Sequence, residues 1–465
     1  MMTVLTKLIS QKSRIVIPAI FVLTLVVLFL IVNELWMISH TAQDDGSQVK
    51  ISIYNSFENY GSKNLALSEI TKQYTESNPA VSIVNSSVTS ERFYTKLQAD
   101  FSANCAADVI ISSPSYDMSQ LYKRGYIAKL DSELQNDVKW GLSFDKSIMR
   151  FVSDNNAASS DVYGLPVDVK YVLLYYNADI FDANNIEEPK SYAELKEIIS
   201  LLAGNNITPV AFGAKDSDMY FYQALVAMVE NPEKYSLSSG SLPVQYSTAF
   251  RYLKELSALG AFPKDYAALT GQDARRLFLE GSAAMLVETN GFVNEIMQYA
   301  NSNSANYTKY INKFQVIAFP ADYDDIYKNA FSSIAYNAGD FTIFLNKASY
   351  ENDSKYDELM KFVKYLTSPN TLKLYLAKTN DIMAIKEIET KDYKTPLTTK
   401  CRLAIDSATR FTDMPCDLTY RYIWFSQFCD KMPRILSNNL TVPDLFDEVI
   451  RMSDMAADDK EEIRR

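Results

Sequence analysis

The pattern of polar and apolar positions divides the chain near its start. Ile15 to Asn33, IVIPAIFVLTLVVLFLIVN, is an uncharged and almost wholly apolar run of nineteen residues. At about 1.5 Å of rise per residue it makes a helix roughly 28 Å long, close to the hydrocarbon thickness of a bilayer. Beyond it the apolar positions turn periodic. Val49 to Tyr54 alternates and reads as a strand. Leu65, Ile70 and Tyr74 mark a helix that Asn78-Pro79 stops, Val81 to Val84 a second strand, and Phe93 to Phe101 a second helix. Asp108 to Ile111 is a short buried strand ending at Ser112-Ser113-Pro114. This β-α-β-α-β order predicts a largely parallel sheet covered by helices on both faces. In such sheets ligands lie beyond the C-terminal strand ends. Asn55, Phe57 and Glu58 follow the first strand, and Ser113, Pro114 and Tyr116 follow the third, so these loops are expected to share a cleft.

A second αβ set follows the polar stretch Ser153 to Ser160. Strands are expected at Tyr171–Tyr176, Val210–Phe212, Ala284–Val287, Phe314–Phe319 and Asp340–Leu345. Helices are expected at Tyr192–Leu202, Phe221–Val229, Thr248–Leu259 and Gln272–Glu280, the last closed by Gly281. A further helix, Tyr356–Leu366, is stopped by Ser368-Pro369.

Lys7, Lys12 and Arg14 precede the long apolar run and no acidic residue does. That asymmetry keeps the N-terminus cytoplasmic and sends the chain after Trp36 outward. The run is longer than the 7 to 15 residues typical of a signal peptide, and its exit is bulky. It therefore reads as an uncleaved anchor; cleavage near Ser39 to Thr41, leaving a secreted protein, is the alternative. No second run matches it, so a channel or permease is excluded. The expected location is the cell membrane, single-pass, with the bulk of the chain outside.

The outer part, roughly 418 residues, exceeds one typical core and predicts two domains. The formal charge of −11 becomes about −14 once the three basic residues of the tail are set aside, a surface with no general attraction for nucleic acid. The 31 Tyr and 24 Phe suit sugar or peptide contact, since tyrosine offers an apolar face and a hydroxyl. The single histidine, His40, sits beside the membrane, so no histidine-based metal site or triad is expected in the folded part. No cofactor is expected. Beside Cys105, the cysteines Cys401, Cys416 and Cys429 allow a Cys401–Cys416 or a Cys416–Cys429 disulfide, and the spacing does not choose between them.

Tyr163 onward, YGLPVDVKYVLLYYNADIF, resembles a signature of the extracellular solute-binding proteins of ATP-driven importers, in the maltose-binding-like group. RRLFLEGSAAMLVETNG (Arg275 to Gly291), VIAFPAD (Val316 to Asp322) and ELMKFVKYLTSPNTLKLYLAKTNDIMAI (Glu358 to Ile385) resemble further family segments, in the family's order. The resemblance implies an α/β fold of two lobes, periplasmic-binding-protein-like, with a ligand cleft between them. The apolar run places one N-terminal transmembrane helix before them, with a cytoplasmic tail (1–14), anchor (15–37) and linker (38–47). Lobe one takes 48–162 plus 315–368, lobe two takes 168–312 plus 369–458, and 459–465 is a solvated tail. The implied activity is capture of a carbohydrate and its delivery to a two-subunit permease with its ATPase, without catalysis.

Sugar recognition needs aromatic faces against the C–H side of a ring and planar polar groups for its hydroxyls. In lobe one the candidates are Phe57 as an apolar wall, Glu58, Glu91 at the start of the second helix, and Tyr116. Asp168 lies at the lobe crossing, as ligand or hinge residue. In lobe two, AFGAKDSDMYFY (Ala211 to Tyr222) resembles the loop that supplies a polar group and an aromatic platform, which singles out Asp218, Tyr220 and Tyr222. The family's Gly-Trp after the following strand is absent here; Phe292 stands in for it, or Asn290 binds a hydroxyl. Trp424 is the late aromatic candidate. Three other readings compete: a tethered ligand sensor of the same fold, an extracellular glycoside hydrolase with two facing carboxylates, and a purely structural surface protein.

Overall fold

A computed structural model describes residues 48–57, 61–88, 90–153, 161–215, 220–229, 244–321, 332–413, 431–437, 439–441, 443–445, 447–448 and 451. Of residues 90, 91, 116, 244–246 and 413 it describes the backbone only. In chain order the strands are β1 (Val49–Asn55), β2 (Val81–Ser87), β3 (Val109–Ile111), β4 (Leu165–Pro166), β5 (Asp168–Asn177) and β6 (Thr208–Val210). They continue as β7 (Ala283–Thr289), β8 (Phe314–Ile317), β9 (Phe319–Pro320), β10 (Ser332–Ala338), β11 (Thr342–Leu345), β12 (Ile382–Met383) and β13 (Arg410–Asp413).

Two sheets result. In the first, β2, β1 and β3 run parallel, and β11 then β4 complete it antiparallel, in the order β2-β1-β3-β11-β4. Ile51, Ile53, Val109, Ile110 and Ile111 are all fully or almost fully buried, as expected of strands covered on both faces. The helices Ser62–Ser77 and Ser90–Ser102 are the predicted crossovers. The order turns back at β1, so a crevice opens beyond the C-terminal ends of β1 and β3. The expected sharing of one edge by the loops after β1 and β3 is met in the backbone: Ser56 N–H donates to Ile111 O at 3.0 Å.

The second sheet is built on β5. Its first half pairs with β10 and β12, and its second half with β7 and β8, all antiparallel. β6 runs parallel to β7, and β13 parallel to β10. Gly281, at φ +80°, turns the chain from the helix Gly271–Leu279 into β7, the left-handed position expected of it. Ser368 caps the helix Pro369–Leu376 with Pro369 in its first turn, so Ser-Pro starts one helix as well as ending another.

The lobe boundaries differ from expectation in two places. The return to lobe one was expected at 315, yet β8 pairs with β5, and β9 and β10 extend the same second sheet. The return comes at Thr342, where β11 joins β3. Residues 369–376, expected in lobe two, form a helix packed on Ser62–Ser77 of lobe one. Among the described residues no helix is long and apolar enough to cross a membrane. The run Ile15–Asn33, the linker and the tail 459–465 lie outside them.

Candidate functional site

Among the described residues the chain passes between the lobes three times. Val167 joins β4 to β5, Gly339-Asp340-Phe341 joins β10 to β11, and 377–381 joins the helix Pro369–Leu376 to β12. The three passages lie side by side. Val167 N–H donates to Phe341 O (2.9 Å), Gly339 N–H to Asp168 O (2.9 Å) and Ala384 N–H to Val167 O (2.7 Å). Each passage carries an aspartate, and all three aspartates converge on Lys63 from the first helix. The Nζ of Lys63 lies 3.4 Å from Asp168, 3.0 Å from Asp340 and 3.1 Å from Asp381. Asp168 and Asp381 are buried, whereas the Asp340 side chain is 38% exposed.

Burial alone would lower the pKa of Lys63, but Asp340, Asp381 and Asp168 outweigh it and raise the pKa well above its ordinary value. Burial pushes Asp168 up to about 6, against the attraction of Lys63. Asp340, also opposed by burial, is held well below the usual carboxylate range by Lys170 and Lys63. Its Oδ1 accepts from Ser113 Oγ (3.3 Å), and its Oδ2 lies 3.5 Å from Lys170 Nζ. Asp340 thus joins the edge of lobe one, through Ser113, to the edge of lobe two, through Lys170.

Lobe two presents the C-terminal ends of β6 and β7 on this side. Arg275 Nη1 donates to Glu288 (2.8 Å), and its Nε lies 3.3 Å from Glu295. Beside that pair is a small recess of about 40 Å³, walled by Phe212, Gly213, Tyr220, Gly271, Arg275 and Glu288. Asn290 closes the end of β7. Its Oδ1 accepts from Tyr171 N–H (2.7 Å), while its buried Nδ2 has no hydrogen-bond partner among the described residues. A buried polar group left unmatched calls for an explanation, because such groups are rare in native folds.

The anticipated residues fall into three groups. Asp168 sits at the hinge, and Tyr220 and Asn290 stand at the lobe-two edge. Phe57, Tyr222 and Phe292 are buried in cores. Phe57 meets Phe341 edge-on at the hinge (centroids 6.0 Å apart). Tyr222 packs on Phe250 at 4.8 Å inside lobe two, and Phe292 meets Tyr175 at 5.4 Å. The expected platform is corrected in part: Tyr222 and Phe292 are committed to packing, whereas Tyr220, the other tyrosine expected of it, lines the recess and Asn290, the alternative to Phe292, stands at the edge. Glu58, Asp218 and Trp424 lie outside the described residues, as do the side chains of Glu91 and Tyr116. Cys401 is a free, buried thiol 3.5 Å from the Tyr175 hydroxyl, so the Cys401–Cys416 pairing is also corrected; Cys416 and Cys429 lie outside the described residues.

Sequence reading missed Lys63, Ser113 as a side-chain partner, Lys170, Asp340, Asp381 and the pair Arg275–Glu288. The only signal was weak: Asp340 begins an expected strand, and Asp168, already a candidate, lies three residues before another.

The comparisons agree with this geometry. The family model described as "Bacterial extracellular solute-binding protein" matches residues 60–371, more than half of the chain. A Brucella abortus protein described only as a binding protein is 25% identical over 241 residues, which is 50% of this chain and 56% of that relative. The chain thus aligns with little more than half the length of the curated relatives it matches. A Streptomyces coelicolor protein described as a secreted solute-binding lipoprotein superposes with a TM-score of 0.71 at 13% identity, covering 86% of this chain and 97% of the other. A structure titled "Chitin oligosaccharide binding protein" gives 0.67 at 19% identity, covering 88% and 99%. One from work on xylan utilization by Caldanaerobius polysaccharolyticus gives 0.65 at 21%, covering 86% and 99%. At these identities the likeness shows the shared fold. With two sheets facing across three passages, and a family model running through both, the chain belongs to the bacterial extracellular solute-binding proteins.

Proposed function

We propose that this protein captures a carbohydrate between its lobes and delivers it to a two-subunit permease driven by an ATPase. The observation that carries the reading is the buried Nδ2 of Asn290, unpartnered among the described residues, at the lobe-two edge of the hinge. Beside it, Lys170 Nζ lies 3.1 Å from where a Cβ on Gly291 would stand. A donor of this kind, next to the Lys170–Asp340 pair and near the tyrosine-walled recess, suits a neutral ligand rich in hydroxyls. The likeness in fold to a chitin-oligosaccharide-binding protein and to a protein from work on xylan utilization favours the same ligand class.

Ligand touches both lobes only when they are shut, so its binding energy favours the closed state. The run Ile15–Asn33 tethers the protein, with the basic residues before it on the cytoplasmic side. Tyr220, Asn290, Asp340 and Lys170 are the ligand contacts of this reading. Glu58, Glu91, Tyr116, Asp218 and Trp424 remain ligand candidates of the same reading.

The test is a thermal-shift screen of the full chain in detergent against xylo-, chito- and malto-oligosaccharides, with peptides as controls. A ligand held by the folded state at a hundred times its Kd adds about 2.7 kcal/mol of stability and raises Tm. One sugar class should do so, and Tyr220→Ala should reduce the shift. A folded sample that no sugar stabilises would overturn the carbohydrate reading and favour a tethered sensor with another ligand.

A further inference from the structure

We propose that Lys63 is a positioning residue that sets the resting angle between the lobes by tying all three passages to the first helix of lobe one. The inference concerns the unliganded protein and does not depend on what the ligand is. Lys63 stands in the first turn of the helix Ser62–Ser77, packed on the lobe-one sheet. Asp168 and Asp381 stand where the chain enters lobe two, at the start of β5 and just before β12. Asp340 lies between β10 and β11. One ammonium group therefore holds carboxylates from each connecting segment within 3.0 to 3.4 Å.

The backbone bonds among the passages make a narrow ribbon, which by itself is free to bend and twist between two rigid sheets. Rotation about the ribbon moves the start of β5 and the start of β12 relative to the helix that carries Lys63. At least one ammonium–carboxylate contact must then lengthen. Because Asp168 and Asp381 are buried, neither can exchange Lys63 for water without exposing the ribbon. Resting geometry is thus favoured by three contacts at once, and departure from it carries a desolvated-charge penalty.

The charged and titratable groups facing Lys63 are Asp168 on β5, Asp340, Asp381, and Tyr375 on the helix Pro369–Leu376; Lys170 on β5 reaches the same cluster through Asp340. The Tyr375 hydroxyl donates to Asp381 Oδ2 (3.2 Å). Neutralising the cluster as a set should leave the fold intact and release the angle, whereas removing Lys63 alone leaves two buried carboxylates uncompensated.

The experiment measures the interlobe distance by single-molecule energy transfer in the full chain, in detergent, with no sugar present. Dyes are carried by clickable residues replacing exposed Lys123 in lobe one and exposed Ser200 in lobe two. The wild type is expected to show one narrow distribution. Lys63→Met/Asp168→Asn/Asp381→Asn should widen it about twofold as contacts that select one state are lost. Asp340→Asn, at a partly exposed site, should widen it less, and Lys63→Arg should keep it narrow. A residue that only stabilised the fold would lower Tm and leave the distribution unchanged. If the triple variant and Asp340→Asn both superimpose on wild type, the proposal is overturned; should the triple variant fail to fold, Asp340→Asn alone decides. Because no sugar is added, failure here is distinct from failure of the carbohydrate reading.

Discussion

A Cβ on Gly339 would lie 2.1 Å from Oδ1 of Asp168. The same oxygen accepts from Phe341 N–H at 2.8 Å, so it cannot retreat without breaking a buried hydrogen bond. Gly339 is therefore required by close approach of the second passage to the first. Gly339→Ala should destabilise the fold by about 1–3 kcal/mol, the usual range for overpacking. Urea unfolding measures this directly, and an unchanged midpoint would show that the passages are looser than described.

The pKa of Asp168 predicts an unusual pH dependence. Burial raises it from 3.8 to about 6 in the folded state. Between these values the folded protein binds the extra proton, so the contribution of this group is fully present below about pH 3.8 and is lost as pH rises through about 6. Asp168→Asn keeps an acceptor for Phe341 N–H and removes the titration. The wild-type minus variant difference in unfolding free energy should fall between pH 4 and 6 and stay flat above that. A flat difference throughout would mean that Lys63 compensates the carboxylate fully.

Asp108 should behave in the opposite sense. It is buried beneath lobe one, where burial alone would raise its pKa. Ser349 Oγ (2.6 Å), Lys355 Nζ (2.9 Å) and Ser52 N–H (2.7 Å) outweigh burial and hold it below its ordinary value. Its contribution is present above about pH 3.8 and lost as pH falls below that. Asp108→Ala should cost about 3 kcal/mol at pH 7, because the Lys355 ammonium and the Ser52 amide lose their partner. Denaturant titrations should show a smaller difference between the two proteins at pH 3 than at pH 7.

The cysteines offer a labelling test. Cys105 is exposed, while Cys401 is buried and its thiol is pushed up to about 12 by burial. A thiolate-directed reagent should modify Cys105 in the native protein within minutes and reach Cys401 only after unfolding, because the thiolate is the nucleophile. Peptide mass spectrometry distinguishes the two sites. Fast modification of Cys401 under native conditions would contradict the packing of the helix Pro396–Ser407.

The local elements were largely legible along the chain. Alternation in Val49–Tyr54 and helical spacing in Leu65–Tyr74 returned as β1 and the helix Ser62–Ser77, because residues two apart share a face of a strand and those three or four apart share a face of a helix. The crevice beyond β1 and β3 followed from their order. What pairs with what was not legible. Phe314–Phe319 reads as strand, yet its apolar residues suit either sheet, and only the length and central position of β5 draw β8 to lobe two. Tyr220 and Tyr222 lie about 200° apart around one helix, so one reaches the recess while the other is buried; which one depends on how that helix is turned against Phe250. Lys63, Asp168, Asp340 and Asp381 are dispersed along the chain and share no spacing. Their convergence is decided by three passages lying side by side, a consequence of tertiary topology. The sequence by itself determined the elements that periodicity marks, such as β1 and the helix Ser62–Ser77, and, through the segments that resemble family signatures, the family. The tertiary structure alone decided the charge cluster at the hinge, because a desolvated ammonium becomes strongly attractive only when distant carboxylates are brought within about 3 Å of it.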